Sequence, residues 1–565
     1  MEQEIANLLK KTLKDLDVDL KKEEIENLIE IPPDNKLGDY AFPCFSLAKK
    51  LKKNPHEIAL LIKEKIFNKN FENIEVSGAY VNFFVNKKKF AENVIKKILK
   101  EKENFGKTNI RKKEKTMVEF PSPNTNKPLH LGHLRNMSIG ESVSRILEFN
   151  SEKVIRTSIN NNRGVHICKS MIAYKKYGKN KNPTKKSDHF VGDFYVKFNQ
   201  MVKENKDYER RAQECLQKWE LKDKEILDLW KKMNKWALDG FKETYKTFGI
   251  KHDKEYYESK IYKKGKEIVW EGLKKGIFEK KDDGSISINL EKEKLGEKIL
   301  LRKDGTSLYI VQDIYLAKLK QEEYKISKSI YVVGNEQEYH FKVLFTILSK
   351  LGFDYKNLKH LSYGMVNLPE GKMKSREGTV IDADNLIKEV RDLVKKELIS
   401  REKISKKELE LRSLKIALAA IKYFLLKIDA KKDMLFNPKK SISFEGDTGP
   451  YLLYSYARAS SILKKSKIKS NEINFKIKNI QESELKLIKK LSQFPEIILN
   501  SYNTLNPSLI ANYSYQLSQI FNEFYHSSKV IGSENELFRL KLIKSFRIIL
   551  KNSLNLLGIE TLDRM

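Results

Sequence analysis

The chain has 565 residues, 40% hydrophobic and 33% charged, which is too long for one compact core and too apolar for disorder, so two to four globular domains are expected. No stretch approaches the roughly 20 apolar residues that span a bilayer, and the opening MEQEIANLLKKTLKDLDVDL lacks the apolar core and cleavage site of a signal peptide, so a cytoplasmic protein with no membrane partner is expected. A net charge of +34, from 110 basic and 76 acidic residues, favours a polyanionic partner, although the whole chain is rich in lysine. Cys44, Cys168 and Cys215 form no CxxC pair, which argues for a reducing compartment and against structural zinc.

In chain order, an amphipathic helix comes first, with Ile5, Leu8, Leu9, Leu13 and Leu16 near helical spacing. The loop IPPDNKLGDYAFP follows, then helices at about 43–52 and 55–66, one strand over Val76–Asn86, and a charged helix over 87–103. A basic linker at 106–115 precedes the short strand TMVEFPSPN (Thr116–Asn124), and a helix is expected from His130 with Leu134, Ile139, Val143, Ile146 and Leu147 on its apolar face. Strand, loop and helix in that order are the opening unit of a doubly wound α/β domain. Further strands are expected at 152–159, 307–314, 329–334 and 360–366, residues 170–250 read as a helical insertion, and the chain from Lys406 onward reads as helical. The domains expected are 1–110 (small, α+β), 111–400 (doubly wound, parallel-sheet) and 401–565 (all helical).

Two segments carry chemistry. The first is PSPNTNKPLHLGHLR (Pro121–Arg135), with His130, Gly132 and His133 between strand and helix. Free N–H groups and the helix dipole make an anion site there. The imidazoles donate to a triphosphate, Lys127 adds a point charge, and Gly132 lets a flat base approach. Two histidines sharing a helix face, or binding metal, are the alternatives; zinc needs three or four ligands and no Cys/His cluster stands nearby, so no protein-bound metal is expected. No GxxxxGK[ST] occurs, which argues against a P-loop. The second segment, GKMKSREGTV (Gly371–Val380), is cationic through Lys372, Lys374 and Arg376 and flanked by glycines. It suits stabilisation of a departing pyrophosphate, though alone such a run is more often a solvated loop.

Together these segments resemble the HIGH and KMSKS signatures of class I aminoacyl-tRNA synthetases. PSPNTNKPLHLGHLRN, SINNNRGVHICKSMIAY, LYIVQDI, YVVGNEQEYHF and DTGPYLLYSYARASSIL are similar to the arginyl-tRNA synthetases, and the resemblance covers nearly the whole chain. It implies a Rossmann-like class I fold, ATP with Mg²⁺ carried on the nucleotide, L-arginine and tRNA(Arg) as partners, and a monomer. It also implies ATP contacts from His130, Gly132, His133, His340 and Lys372. Arginine contacts are implied from Ser122, Asn124, Glu258, Tyr309, Asp313 and Gln337. A guanidinium needs planar carboxylate acceptors, and Asp313 is the best candidate, with Tyr309 on the same rim if that segment is helical. A helix cap for Asp313 and a core position for Tyr309 are the duller readings. Tyr451, Tyr454, Tyr456 and Arg458 suit stacking on unpaired bases and equally suit helix packing; the resemblance assigns their region to the anticodon. It assigns Asn82, Phe83 and Phe84 to a module that touches the tRNA elbow. Two departures stand: the KMKSR run is one residue shorter than KMSKS, leaving Lys374 and Arg376 as alternatives for the second lysine, and Asn162 stands where the family usually has an aspartate. A nucleotidyltransferase for small molecules and a non-catalytic RNA-binding paralogue are the competing function classes.

Overall fold

The computed structural model describes residues 2–66, 68, 70–108, 114–353, 357–367, 381–468 and 474–565. The expected basic loop Gly371–Val380, with Lys372, Lys374 and Arg376, lies outside the described residues. Among those described, no helix is long and apolar enough to cross a membrane. Contacts divide the chain into two compact units.

One unit comprises Met1–Lys102, Ser466–Ser492 and Glu523–Ser545. Strands β1 (Tyr40–Pro43), β2 (Phe71–Ser77) and β3 (Tyr80–Val85) form an antiparallel sheet in the order β1-β3-β2. The helices Glu2–Lys14 and Pro55–Lys65 supply Ile5, Leu9, Ile58 and Ile62 to the core around Phe42, Val81 and Phe83. The single strand expected over Val76–Asn86 is the end of one strand, a turn and a second strand. Ser77 pairs with Tyr80, and Gly78 adopts φ 58°, a conformation that costs glycine little. The helix expected at 43–52 is instead strand to Pro43, a 3-10 turn Phe45–Leu47 and the short helix Ala48–Leu51. Proline at the strand's end and Lys52 in the left-handed region at φ 52° confine it.

The other unit comprises Glu103–Lys465, Gln493–Asn522 and Phe546–Met565. Its centre is a five-stranded sheet of β4 (Lys115–Glu119), β5 (Lys153–Asn160), β6 (Lys254–Tyr257), β10 (Lys328–Gly334) and β11 (Leu358–Tyr363), with neighbouring strands parallel, in the order β11-β10-β4-β5-β6. A short antiparallel sheet, β7 (Glu279–Lys280), β8 (Ile286–Leu290) and β9 (Gly296–Leu301), lies between β6 and β10 in sequence. The chain starts the parallel sheet at its middle, runs outward to β6, then returns to the other side of β4. This reversal between β4 and β10 is a topological switch point, where strand ends leave a crevice for ligands.

The helix Leu131–Phe149 follows β4 and is buried along most of its length, including the five apolar positions expected from sequence. It lies close to the chain after β4: a Cβ on Gly140 would stand 2.4 Å from the Phe120 ring. The stretch expected as a strand over 307–314 is instead the first part of the helix Tyr309–Tyr324. β-Branched and aromatic residues suggested extended chain, but the buried positions Val311, Ile314, Ala317 and Lys320 recur every three residues and face inward as a helix. Strands β6, β7 and β9 escaped the sequence reading because their runs are short and carry charge, and β8, ISINL, is only five residues long. Cys168 and Cys215, 47 positions apart in sequence, share the apolar core of the helical insertion as free thiols.

Candidate active site

His130 is the N-cap of the helix Leu131–Phe149. Its Nδ1 accepts the Gly132 N–H at 3.1 Å, and His133 Nδ1 accepts the His130 N–H at 3.1 Å. With both Nδ1 atoms occupied as acceptors, the hydrogen-bond network assigns the N–H of each neutral ring to Nε2. Burial pulls the His130 pKa down to about 3, with Lys127 adding to the effect. The same causes, with His130 itself, hold His133 well below its ordinary value. Both rings are therefore neutral near pH 7, each with one donor to offer. Their centroids lie 3.9 Å apart. A Cβ on Gly132 would come within 3.0 Å of the His130 ring, so glycine is what allows the imidazole to fold back on its own helix. Burial also lowers the Lys127 ammonium.

The loop between β4 and His130 is fastened to the end of β5. Ser122, at φ 54°, accepts Asn161 Nδ2 on its carbonyl at 3.1 Å, and Asn161 N donates to Pro123 O at 3.0 Å. Asn161 Oδ1 in turn accepts the Tyr309 hydroxyl at 3.4 Å. One helical turn beyond Tyr309, Asp313 Oδ2 meets His340 Nε2 at 2.7 Å. Burial pushes the Asp313 carboxyl up, and His340 opposes this. Glu258, buried at the start of a short helix after β6, is pushed up to about 7 by burial, with Arg163 pulling it down and Asp313 pushing it up. Arg163 Nη1 stands 3.9 Å from Glu258 Oε1, with its guanidinium 4.1 Å from the Tyr262 ring centre. Tyr309, Asp313 and Glu258 stand near enough for their charges to act on one another, His340 joins them through Asp313, and Asn161 ties Tyr309 to the Ser122 loop. Asn124 and Gln337 are exposed. Asn162 is buried and accepts Ser259 N at 3.0 Å, so its side chain braces the Glu258 turn.

Sequence reasoning missed several participants. Asn161 links two predicted groups, and its Asn-Asn-Asn-Arg run after β5 was the available signal. A buried pair acts on the Asp313 carboxyl: Lys320 Nζ to Glu119 Oε2 at 2.5 Å, with Lys320 fully enclosed 4.6 Å from the Tyr331 ring centre. Arg135, also fully buried, donates to backbone carbonyls of Gly364 at 2.6 Å, Met365 at 3.2 Å, Ala430 at 3.1 Å and Lys432 at 2.7 Å. Residues 364–367 are further paired with 430–436, through the two-residue strands β12 (Val366–Asn367) and β13 (Met434–Leu435). After the undescribed segment, Leu131 N donates to Ile381 O at 3.0 Å and Ala383 N to Leu129 O at 2.9 Å. Both described flanks of the second cationic segment are therefore fastened to the helix of the first.

In the helix Gly449–Lys465, Tyr451, Tyr454 and Arg458 are half-buried and recur at helical spacing. The Arg458 guanidinium lies 4.8 Å from the Tyr454 ring centre. Asn522 holds the group together, accepting Arg458 Nη1 at 2.6 Å and donating to the Tyr451 hydroxyl at 2.8 Å. Tyr456 points elsewhere: it is buried against the Arg547 guanidinium at 4.9 Å, which makes it a packing residue. Asn82 and Phe83 are likewise buried, whereas Phe84 is half-buried.

A parallel sheet with a switch point, and paired imidazoles at the start of the helix after its first strand, fit the class I aminoacyl-tRNA synthetases. Known proteins agree. Residues 94–438 match the family described as tRNA synthetases class I (R), catalytic domain, residues 452–565 the DALR anticodon binding domain, and residues 3–85 the arginyl tRNA synthetase N terminal domain. The arginine–tRNA ligase of Treponema denticola is 48% identical over 560 residues, covering 95% of this chain and 94% of its own. That of Borrelia duttonii is 44% identical over 585 residues, covering 100% and 99%. The Thermus thermophilus arginyl-tRNA synthetase structure shares the fold at TM-score 0.79 and 23% identity, over 100% of both chains. The chain belongs to the arginyl-tRNA synthetase family.

Proposed function

We propose a residue-level account of arginine–tRNA ligation, the reaction of this family. The observation that supports it is the run of contacts Ser122–Asn161–Tyr309, with the half-buried Asp313 one turn on and the buried Glu258 close enough to act on its charge, together with the Nε2–H donors of the imidazole pair. Asp313 and Glu258 receive the guanidinium, Tyr309 and Gln337 border it, and Ser122 and Asn124 meet the backbone end of arginine. The Nε2–H groups of His130 and His133 and the Lys127 ammonium hold the phosphates of ATP, Gly132 admits the base, and His340 lies on the ribose side. Mg²⁺ arrives with the nucleotide and neutralises charge on its phosphates. The arginine carboxylate attacks the α-phosphorus, the bond to pyrophosphate breaks, and arginyl-adenylate forms. The 3′-terminal hydroxyl of tRNA(Arg) then attacks the carbonyl carbon and AMP departs. No protein nucleophile is used; position and preorganised charge supply the rate. Lys372, with Lys374 or Arg376, is assigned to the leaving pyrophosphate, a role supported by the anchoring of residues 364–367 and 381–383 to the His130 helix.

The organisation proposed is an amino-terminal tRNA-contacting domain (1–110), a catalytic domain (111–400) and an anticodon-binding helical domain (401–565). Tyr451, Tyr454 and Arg458 are assigned to the anticodon, on the strength of their shared partly exposed face, and Asn82 and Phe84 to the body of the tRNA. The working unit is read as a monomer and its place as the cytoplasm. Purified protein given ATP, tRNA and each of the twenty amino acids will charge tRNA with arginine alone; charging with another amino acid, or with none, refutes the reading.

The Glu258 carboxyl adds a pH dependence. With its pKa at about 7 in the free protein, it is protonated below that point, and only the carboxylate accepts the guanidinium. The KM for arginine should therefore rise about tenfold between pH 8 and pH 6, and Glu258→Gln should lose this dependence. The sign for folding is the opposite of that for arginine binding. A carboxyl with a raised pKa favours the folded state at low pH, and this contribution is lost as pH rises from about 4.5 through 7.

A further inference from the structure

Between the imidazole pair and the helical insertion lies a cleft of about 230 Å³ lined by Lys127, His130, His189, Tyr195 and Asp382. Its far wall is a charge cluster that the account above does not use. Lys186 Nζ lies 3.0 Å from both Asp188 carboxylate oxygens, 2.9 Å from Asp384 Oδ2 and 2.8 Å from Thr244 Oγ1. His189 Nε2 lies 3.0 Å from Asp384 Oδ2 and 3.2 Å from Asp382 Oδ2. Asp382 uses its other oxygen to cap the helix Ala383–Arg401, accepting Asp384 N at 2.9 Å and Asn385 N at 3.0 Å. The backbone on either side of Asp382 is the stretch bonded to Leu129 and Leu131, and His130 itself forms a β-bridge with Asp382.

We propose that His189 is a positioning residue for ATP activation: by hydrogen-bonding Asp384, with its ring nitrogen also within ion-pair distance of Asp382, it holds the 381–385 turn against residues 129–131 and so fixes His130 where the phosphates bind. The inference rests on the phosphate role given to His130. Three carboxylates, Asp188, Asp382 and Asp384, face this cluster, and Lys186 is its only permanent cation among the described residues. The hold of His189 on Asp384 and Asp382 is therefore strongest when the imidazole is protonated. Burial alone would lower the His189 pKa, but the Asp384 hydrogen bond and the charges of Asp382 and Asp188 outweigh burial and raise it. Thr244, from the helix Lys224–Phe248, donates to Asp384 at 3.0 Å and closes the remaining side; Lys185 and Asp193 pair with each other at the mouth.

The test is tRNA-dependent ATP–pyrophosphate exchange by the full chain, for wild type, His189→Ala, His189→Gln and His130→Ala, from pH 6 to 9. A displacement of His130 by about 1 Å should cost His189→Ala about 10²-fold in kcat/KM for ATP, with the KM for arginine within about twofold of wild type. Wild type should lose activity as pH rises and His189 loses its proton; His189→Gln, a donor that does not titrate, should lack that alkaline limb. Wild-type ATP kinetics in both His189 variants would overturn the proposal. So would an equal loss toward ATP and arginine with an unchanged pH profile, which marks a packing role. Full activity of His130→Ala with impaired His189→Ala would remove instead the phosphate role on which the inference stands.

Discussion

Asp313→Ala will reduce kcat/KM for arginine by about 10²- to 10³-fold, or about 3–4 kcal/mol, the range for removing one partner of a desolvated charge pair. The reasoning is geometric. Asp313 lies one turn beyond Tyr309 on a helix whose other face is packed by Val311, Ile314 and Ala317, so the backbone cannot rotate to offer another group. Burial raises the free carboxyl's pKa, which means that the free protein carries an acid poorly satisfied as an anion. An arriving guanidinium supplies two parallel donors and reverses that penalty. The alanine variant leaves the guanidinium without its acceptor while Glu258 keeps half of the charge. Asp313→Asn, which keeps the shape and loses the charge, should fall nearly as far. The KM for ATP at saturating arginine should stay within about threefold in both, because the imidazole pair is untouched. Steady-state charging of tRNA with each substrate varied in turn checks this, and an alanine variant with an unchanged KM for arginine would rule out the pocket.

The second large effect falls on the other half of the site. His130→Ala or His133→Ala should each lower kcat for activation by about 10²- to 10³-fold, the usual cost of one preorganised donor facing developing phosphate charge. The two ring nitrogens have separable duties. Asn keeps an acceptor near Nδ1 for the backbone N–H and loses the distant donor, whereas Gln keeps a donor near Nε2 and loses the local acceptor. His130→Gln should therefore retain more rate than His130→Asn, and His130→Asn more thermal stability. Both imidazoles are neutral well below pH 7, so the acid limb of arginine-dependent rates belongs to Glu258 and not to them. For folding, the depressed His130 pKa contributes stability that is present above its ordinary value of 6.5 and is lost as pH falls toward about 3. Pre-steady-state measurement of adenylate formation, read beside thermal melting, separates these effects.

What could be read from sequence follows from how local each feature is. The imidazole signature was legible because strand, loop and helix are consecutive, and the Nδ1 contacts that orient the rings span two or three residues. The parallel sheet was legible for β4, β5, β10 and β11, whose apolar runs suit burial on both faces. The helix from Tyr309 was read as a strand because composition there favours extension, while its inward face is set by tertiary packing. Cross-chain links were invisible: Asn161 to Tyr309 spans 148 positions and His189 to Asp384 spans 195. Tyr456 and Tyr454 look alike in sequence, and only the helix's rotation sends one to the core and the other to the partly exposed face.

A structure with a non-hydrolysable arginyl-adenylate analogue bound tests the arrangement most directly. The guanidinium should lie between Asp313 and Glu258 at about 2.7–2.9 Å, with the Nε2 atoms of His130 and His133 turned toward the group replacing the α-phosphate. An analogue bound with its guanidinium away from that carboxylate pair, or with both Nε2 atoms facing away from that group, would contradict the account.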